Sequence, residues 1–241
     1  LNGAYDVHST YLLAARGLGG ASKLAVLVST DNGTATASGF SSRTTGQSVG
    51  LGFGADFGGA KLDLGFTTGT GTSSGARNGQ TFSNAKSSAS TVMARLTVAP
   101  IGGFSPFVGL SRSLGSMDGF AEAGSGANLN VQSFNQTINL AEVGADYAVK
   151  LSGFWSMGLT LAYEHNLGGA IDTVSSTFAD AATPTTFSVA TYGFGKDQLR
   201  GAIGFKAALS ELSSAGFSYE IRSGNGVKAA SELKLNYTRR F

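Results

Sequence analysis

The chain has no cysteine among its 241 residues, which excludes disulfide staples and thiolate metal sites and leaves redox chemistry without its usual groups. Charge is scarce as well. Asp, Glu, Lys and Arg make up 13% of the sequence, about half the share of an ordinary soluble domain, too little to coat a soluble surface. The formal net charge of +2 is small and scattered, with Arg239-Arg240 the one dense basic pair, so nucleic acid is not an expected partner. Long apolar runs are missing too: the longest clean stretch covers residues 24–28, far short of the roughly 18 residues of a membrane helix. Yet the chain is 41% hydrophobic, too apolar for disorder. With helices excluded, the remaining way to cross a bilayer is a closed β-barrel, because lipid offers no partner to an open backbone N–H or C=O. No signal peptide is visible at Leu1, so an exported protein is expected to be a mature or excised piece of something longer.

What the sequence has is alternation. In the last nine residues Leu233, Leu235, Tyr237 and Phe241 share one face of a strand, while Lys234, Asn236, Thr238 and Arg240, with Glu232 just before, share the other. One face suits lipid and the other water. Such a strand, closing on a terminal phenylalanine, reads as the last strand of an outer-membrane barrel and as its assembly signal. The same pattern recurs in segments of about ten residues, the length a tilted membrane strand needs. The clearest is Trp155, Met157, Leu159, Leu161 and Tyr163 against Ser156, Gly158, Thr160, Ala162 and Glu164. Further segments fall at 48–57, 61–66, 90–98, 104–110, 139–150, 198–207 and 217–222, with poorer alternation at 9–16 and 22–29.

Loop lengths carry a second signal. Short turns are expected near Gly58, Gly102, Ser152 and Glu211, and longer polar stretches at 67–88, 113–136 and 168–196, with the turn at 223–226 a short exception. Membrane barrels sort their loops by side in this way, short toward the periplasm and long outside. Eleven strands are legible, and even parity asks for a twelfth, either residues 34–42 or a segment upstream of Leu1. The expectation is therefore an all-β, transmembrane antiparallel β-barrel of about 12 strands, one domain over residues 1–241.

The polar faces gather Glu142, Asp146, Glu164, Arg200, Lys206, Glu220, Arg222, Glu232, Lys234 and Arg240, acids and bases in equal numbers, which predicts a wet and charge-balanced lumen. The apolar faces carry Phe57, Trp155, Tyr163, Phe217 and Tyr219, expected to face lipid, several of them in the aromatic girdles.

With these strands in place, the sequence from about Gln47 to Phe241 resembles the translocator (β) domain of the autotransporters, the type V secretion family of Gram-negative bacteria. Three stretches carry the resemblance. Phe104-Ser-Pro-Phe-Val-Gly-Leu110 followed by Met117-Asp-Gly-Phe-Ala-Glu122 is similar to the family's strand and "DGF-x-E" segment. Residues 155–165, ending Tyr163-Glu164-His165, resemble its strand that closes on an aromatic, a charged residue and histidine. The third stretch runs from Asp197 to Phe241, where Arg239 stands at a position the family usually gives to an aromatic. The resemblance implies a barrel inserted into the outer membrane by the barrel-assembly machinery, surrounded by outer-membrane lipid and lipopolysaccharide. It also implies a covalently attached passenger upstream, exported to the cell surface.

Some family members cleave their passenger with acids inside the barrel, yet Glu142 and Glu164 read better as partners of Arg and Lys across the lumen. His8 and His165 lie too far apart in sequence to suggest a metal site. Ser83-Asn-Ala-Lys86 fits an S-x-x-K pattern but falls in an expected loop, and the glycine-rich residues 69–79 read as a loop tip. No catalytic constellation, metal cluster or cofactor motif emerges, so the expectation is a transporter and not an enzyme. A stand-alone outer-membrane porin or adhesin is the competing reading.

Overall fold

The computed structural model describes residues 3–169, 173–179, 186–189, 196–224 and 227–239. Asn2, Arg240 and Phe241 lie outside them.

Long strands follow wherever apolar and polar residues alternate, because each then has one face for each environment. β1 (Gly3–Gly19), β2 (Ser22–Ala37), β3 (Phe40–Asp56), β4 (Ala60–Arg77), β5 (Gln80–Val98) and β6 (Phe104–Met117) form an antiparallel meander. Two short strands, β7 (Phe120–Ala121) and β8 (Leu129–Val131), interrupt the meander. It resumes with β9 (Phe134–Lys150) and β10 (Trp155–Gly168), is interrupted again by β11 (Val174–Phe178) and β12 (Thr186–Val189), and ends with β13 (Asp197–Ala208), β14 (Ser213–Gly224) and β15 (Val227–Arg239). The eleven long strands make one curled sheet with β1 and β15 at its two edges. The four short ones make a second sheet in the order β12-β11-β8-β7.

The faces are inverted relative to a soluble protein. On β10 Leu161 is 67% exposed while its neighbours Ala162 and Glu164 are 2% and 6% exposed. Leu199 and Ile203 on β13, Phe217, Tyr219 and Ile221 on β14, and Leu233, Leu235 and Tyr237 on β15 repeat the exposed apolar face. So many exposed large apolar side chains on one continuous surface are intelligible only against lipid.

Connections at one end are short: residues 20–21, 57–59, 99–103, 151–154 and 209–212. This is the periplasmic end by the rule that barrels keep their short turns there. The opposite end carries the two excursions, 118–133 and 169–196, that build the small sheet.

Three expectations from the sequence need correction at that outer end. Residues 34–42 are not a twelfth strand; they are the end of β2, a turn at Ser38-Gly39 and the start of β3, paired Ala37 to Phe40 and Thr36 to Ser41. Residues 67–88 are not a loop either. β4 and β5 continue through them to a two-residue turn at Asn78-Gly79, where both residues take positive φ, 48° and 91°. That Asn-Gly pair suits a tight hairpin turn. The glycine-rich 69–79 and the Ser83–Lys86 stretch are therefore mostly strand, with an irregularity opposite Ser73/Gly75 where Asn84 has φ 59°. The stretches at 113–136 and 168–196 also contain the ends of β6, β9 and β10 and the small sheet. These hairpins run past the apolar band on serine, threonine and glycine, and backbone bonds hold them where side-chain contrast has ended.

Candidate functional site

A network of charge crosses the sheltered face of six neighbouring strands. Arg200 on β13 donates from Nε to Glu164 on β10 at 2.9 Å and from Nη2 to Glu142 on β9 at 2.8 Å, and its Nη1 lies 3.6 Å from Glu220 on β14. Arg222 bonds Glu220 at 2.9 Å and sits 3.9 Å from Glu164. Register explains the convergence: Glu164 pairs with Glu142 on one side and Gln198 on the other, while Arg200 pairs with Arg222. Arg200 thus reaches over β10 to β9. Like charges placed opposite each other, Glu142 with Glu164 and Arg200 with Arg222, are tolerable only because each is crossed by the opposite sign on the diagonal.

A second group abuts the first. Arg95 on β5 bonds Asp146 on β9, which also accepts from Thr160 Oγ1 on β10 at 2.7 Å. The guanidinium of Arg95 lies over the ring of Phe107 on β6, 3.5 Å from its centroid, a stacking that arginine's planar fork favours. Two glycines permit this crowding. A Cβ at Gly109 would stand 2.7 Å from Cγ of Glu142, and one at Gly144 would stand 2.6 Å from Cζ of Phe107, so neither site accepts a side chain without moving the network. Phe107 is consequently 2% exposed.

Other residues expected in the lumen lie on the same parity but farther along. Glu232 pairs in register with Glu220, and its carboxylate meets Lys234 at 2.9 Å in an exposed pair. Lys206 pairs with Ser156 and is exposed near the periplasmic turns. Of the aromatics expected toward lipid, Trp155, Tyr163, Phe217 and Tyr219 are exposed on the apolar face, and Phe57 is exposed in the turn after β3. Tyr163 donates to Asp197 at 2.5 Å, and His165 Nδ1 lies 2.7 Å from the same carboxylate oxygen. Leu233, Leu235 and Tyr237 are exposed on β15.

Two groups did not stand out in the sequence. Arg95 sits on the polar parity of its strand, which was the available signal. The pairing of Arg77 with Glu122 of the Asp-Gly-Phe-x-Glu segment had none, the two being 45 residues apart. Arg77, at the outer end of β4, bonds both oxygens of the buried Glu122 at 2.9 and 2.6 Å, and Glu122 also accepts from the backbone N–H of Leu129. Those bonds hold the Arg77 guanidinium above its already high ordinary pKa. With Phe120 packed on Phe82 at 4.7 Å and Thr81 bridged to Ala123, they fasten the small sheet to the β4–β5 hairpin. The Asp-Gly-Phe-x-Glu segment thereby acquires a physical role, supplying the ring and carboxylate that dock it.

The autotransporter beta-domain family model matches residues 4–220, nearly the whole described sheet. The chain belongs to the autotransporter β-domain family. Autotransporter β-domains are translocator barrels of type V secretion in the outer membrane of Gram-negative bacteria, and the inverted faces agree. Solved structures give the same fold. The chain is similar to the translocator domain of NalP from Neisseria meningitidis, with a TM-score of 0.78 at 19% identity over 99% of this chain and 81% of that one. The β-domain of the Bordetella autotransporter BrkA gives 0.61 at 14% over 99% and 93%, and the transport unit of AIDA-I from Escherichia coli gives 0.61 at 11% over 99% and 84%. No curated protein matches the chain.

Proposed function

We propose that this autotransporter β-domain forms a single barrel that exports a covalently attached N-terminal passenger through a lumen lined by its polar face, and that it is a conduit and not an enzyme. The observation that carries the reading is the division of the inner wall. Across β5 to β14 the wall is charged and cross-braced, as described above. Across β3 and β4 the same parity is rich in glycine, with Gly46 facing Gly71, Gly52 facing Gly65, and Gly50, Gly54 and Gly69 facing Thr67, Asp63 and Ser48, so this wall carries few and mostly short side chains. A braced polar wall continued by a glycine-rich one leaves space for a passing polypeptide without offering it an apolar surface to adhere to.

Closure follows from backbone accounting. β1 and β15 are sheet edges, and an edge in lipid leaves a row of unsatisfied N–H and C=O groups. Even strand parity favours a twelfth strand upstream of β1 as the partner of both. The partners of the barrel are the surrounding outer-membrane lipid and lipopolysaccharide and the barrel-assembly machinery, which reads β15 through to Phe241.

The test places a reporter domain between a signal peptide and the native segment that supplies the twelfth strand ahead of β1, and treats intact cells with protease. Export predicts that the reporter is shaved from the surface while the barrel resists. A folded barrel with the reporter held in the periplasm would instead favour a stand-alone porin or adhesin.

A further inference from the structure

Arg112 stands on the lipid-facing parity, as do Arg16 near the periplasmic end of β1 and Arg43 in the outer part of β3. Arg112 has the same parity on β6 as the exposed Phe104, Val108, Leu110 and Leu114. Among the described residues no carboxylate comes within ion-pair distance of it, whereas Arg77, Arg95, Arg200 and Arg222 are all paired. Register sets Val92 beside it on β5 and Asn139 on β9, and Asn139 donates to the Gly168 carbonyl at 2.8 Å.

Its depth narrows the choice of ligand. Arg112 is eight positions along β6 from Phe104, about 20 Å above the periplasmic turns for a strand rising ~3.3 Å per residue and tilted ~40°. On β4 and β5 the outward positions at that level turn from Phe66 and Val92 to Thr68 and Ser90, whose hydroxyls bond each other at 2.9 Å. The level is therefore the outer margin of the apolar band. An outward arginine costs little there, far less than at the midplane.

A hollow of about 740 Å³ opens on the same face, running from Leu51 and Phe66 past Val92 and Leu110 to Arg112 and Asn139. Its walls are apolar except at the arginine end. That volume falls in the range of pockets that hold drug-sized ligands, roughly 300–1,000 Å³, and so is ample for acyl chains.

We propose that the hollow and Arg112 form a binding site for a phosphorylated glycolipid of the outer leaflet, the lipid A part of lipopolysaccharide, with acyl chains in the hollow and a phosphate on the Arg112 guanidinium. The planar fork suits a phosphate through paired, charge-assisted bonds. The outer margin of the band is also where the phosphates of that leaflet lie. The inference rests on the outer-membrane location and not on passenger export.

The test compares wild-type barrel with Arg112→Gln and Arg112→Lys, each delipidated in mild detergent, checked for heat-modifiable migration and titrated in native mass spectrometry. The probes are bisphosphorylated lipid A, dephosphorylated lipid A and phosphatidylglycerol. Wild type is expected to prefer bisphosphorylated lipid A, with about tenfold weaker binding in Arg112→Gln and partial retention in Arg112→Lys. Removing the phosphates should weaken binding to wild type but not to Arg112→Gln. Equal wild-type affinity for the two forms of lipid A, or equal or tighter binding of phosphatidylglycerol, would overturn the proposal. If Arg112→Gln yields no folded barrel, the three lipids on wild type decide it alone. Failure with a heat-modifiable wild-type barrel leaves the membrane reading intact, whereas a wild type that never becomes heat-modifiable contradicts that reading.

Discussion

Arg200→Ala is expected to lower the stability of the folded barrel by about 3 kcal/mol or more, because it removes one side of a sheltered ion network and leaves the other side in place. Glu142, Glu164 and Glu220 all converge on that guanidinium, whose side chain is 12% exposed. Arg222 would remain near Glu164 and Glu220, but it is farther from Glu164, at 3.9 Å, and no bond joins it to Glu142. Arg200→Lys keeps the charge and loses the fork, so an intermediate loss is expected. Lys234→Ala provides the contrast: its pair with Glu232 is exposed, and such pairs contribute between nothing and about 1 kcal/mol. Urea unfolding in micelles, followed by loss of heat-modifiable migration, reads all three. Equal midpoints for Arg200→Ala and Lys234→Ala would mean that the network does not brace the barrel.

Leu161→Arg is expected to have a comparable effect for the opposite reason. Leu161 points into lipid from the middle of β10, six positions from Trp155, or about 15 Å above the periplasmic turns. A positive charge on the lipid face near the midplane costs about 2–4 kcal/mol in a membrane barrel. The folded fraction recovered from outer membranes should fall sharply, while Leu161→Ala, which only trims apolar area, should be tolerated. If the arginine were harmless, that face would not be in lipid. Together the two substitutions distinguish the walls of the barrel, since one removes a charge from the wet side and the other adds a charge to the dry side.

How far the sequence foretold this fold depends on how strongly the two faces of a strand differ. β10 was legible almost residue by residue, with Trp155, Leu159, Leu161 and Tyr163 set against Ser156, Ala162 and Glu164. β1 and β2 were harder because their inner parity is itself apolar: Leu13 lies opposite Leu27 and Ala15 opposite Ala25, so period two fades. The outer hairpins were lost for the reverse reason. From Thr67 to Ser88 both faces are polar or small except at Phe82, and only backbone pairing shows that the strands continue.

The charged wall was legible as a set of residues and not as an arrangement. Parity gave Glu142, Glu164 and Arg200 one face, but their convergence depends on register, which no single strand encodes. Arg95 was on the right parity, and only the position of Phe107 and Asp146 gave it a role. The pairing of Arg77 with Glu122 needed the tertiary structure altogether.

The most direct test of an inside-out barrel exploits the absence of cysteine. Single cysteines placed in turn at residues 157 to 163 of β10 have no native thiol to compete with them and can carry a spin label in reconstituted outer-membrane vesicles. The structure predicts that positions 157, 159, 161 and 163 are relaxed by oxygen dissolved in the lipid, and that 158, 160 and 162 respond to a water-soluble reagent or are shielded. Uniform accessibility along the strand, or alternation in the opposite phase, would contradict it.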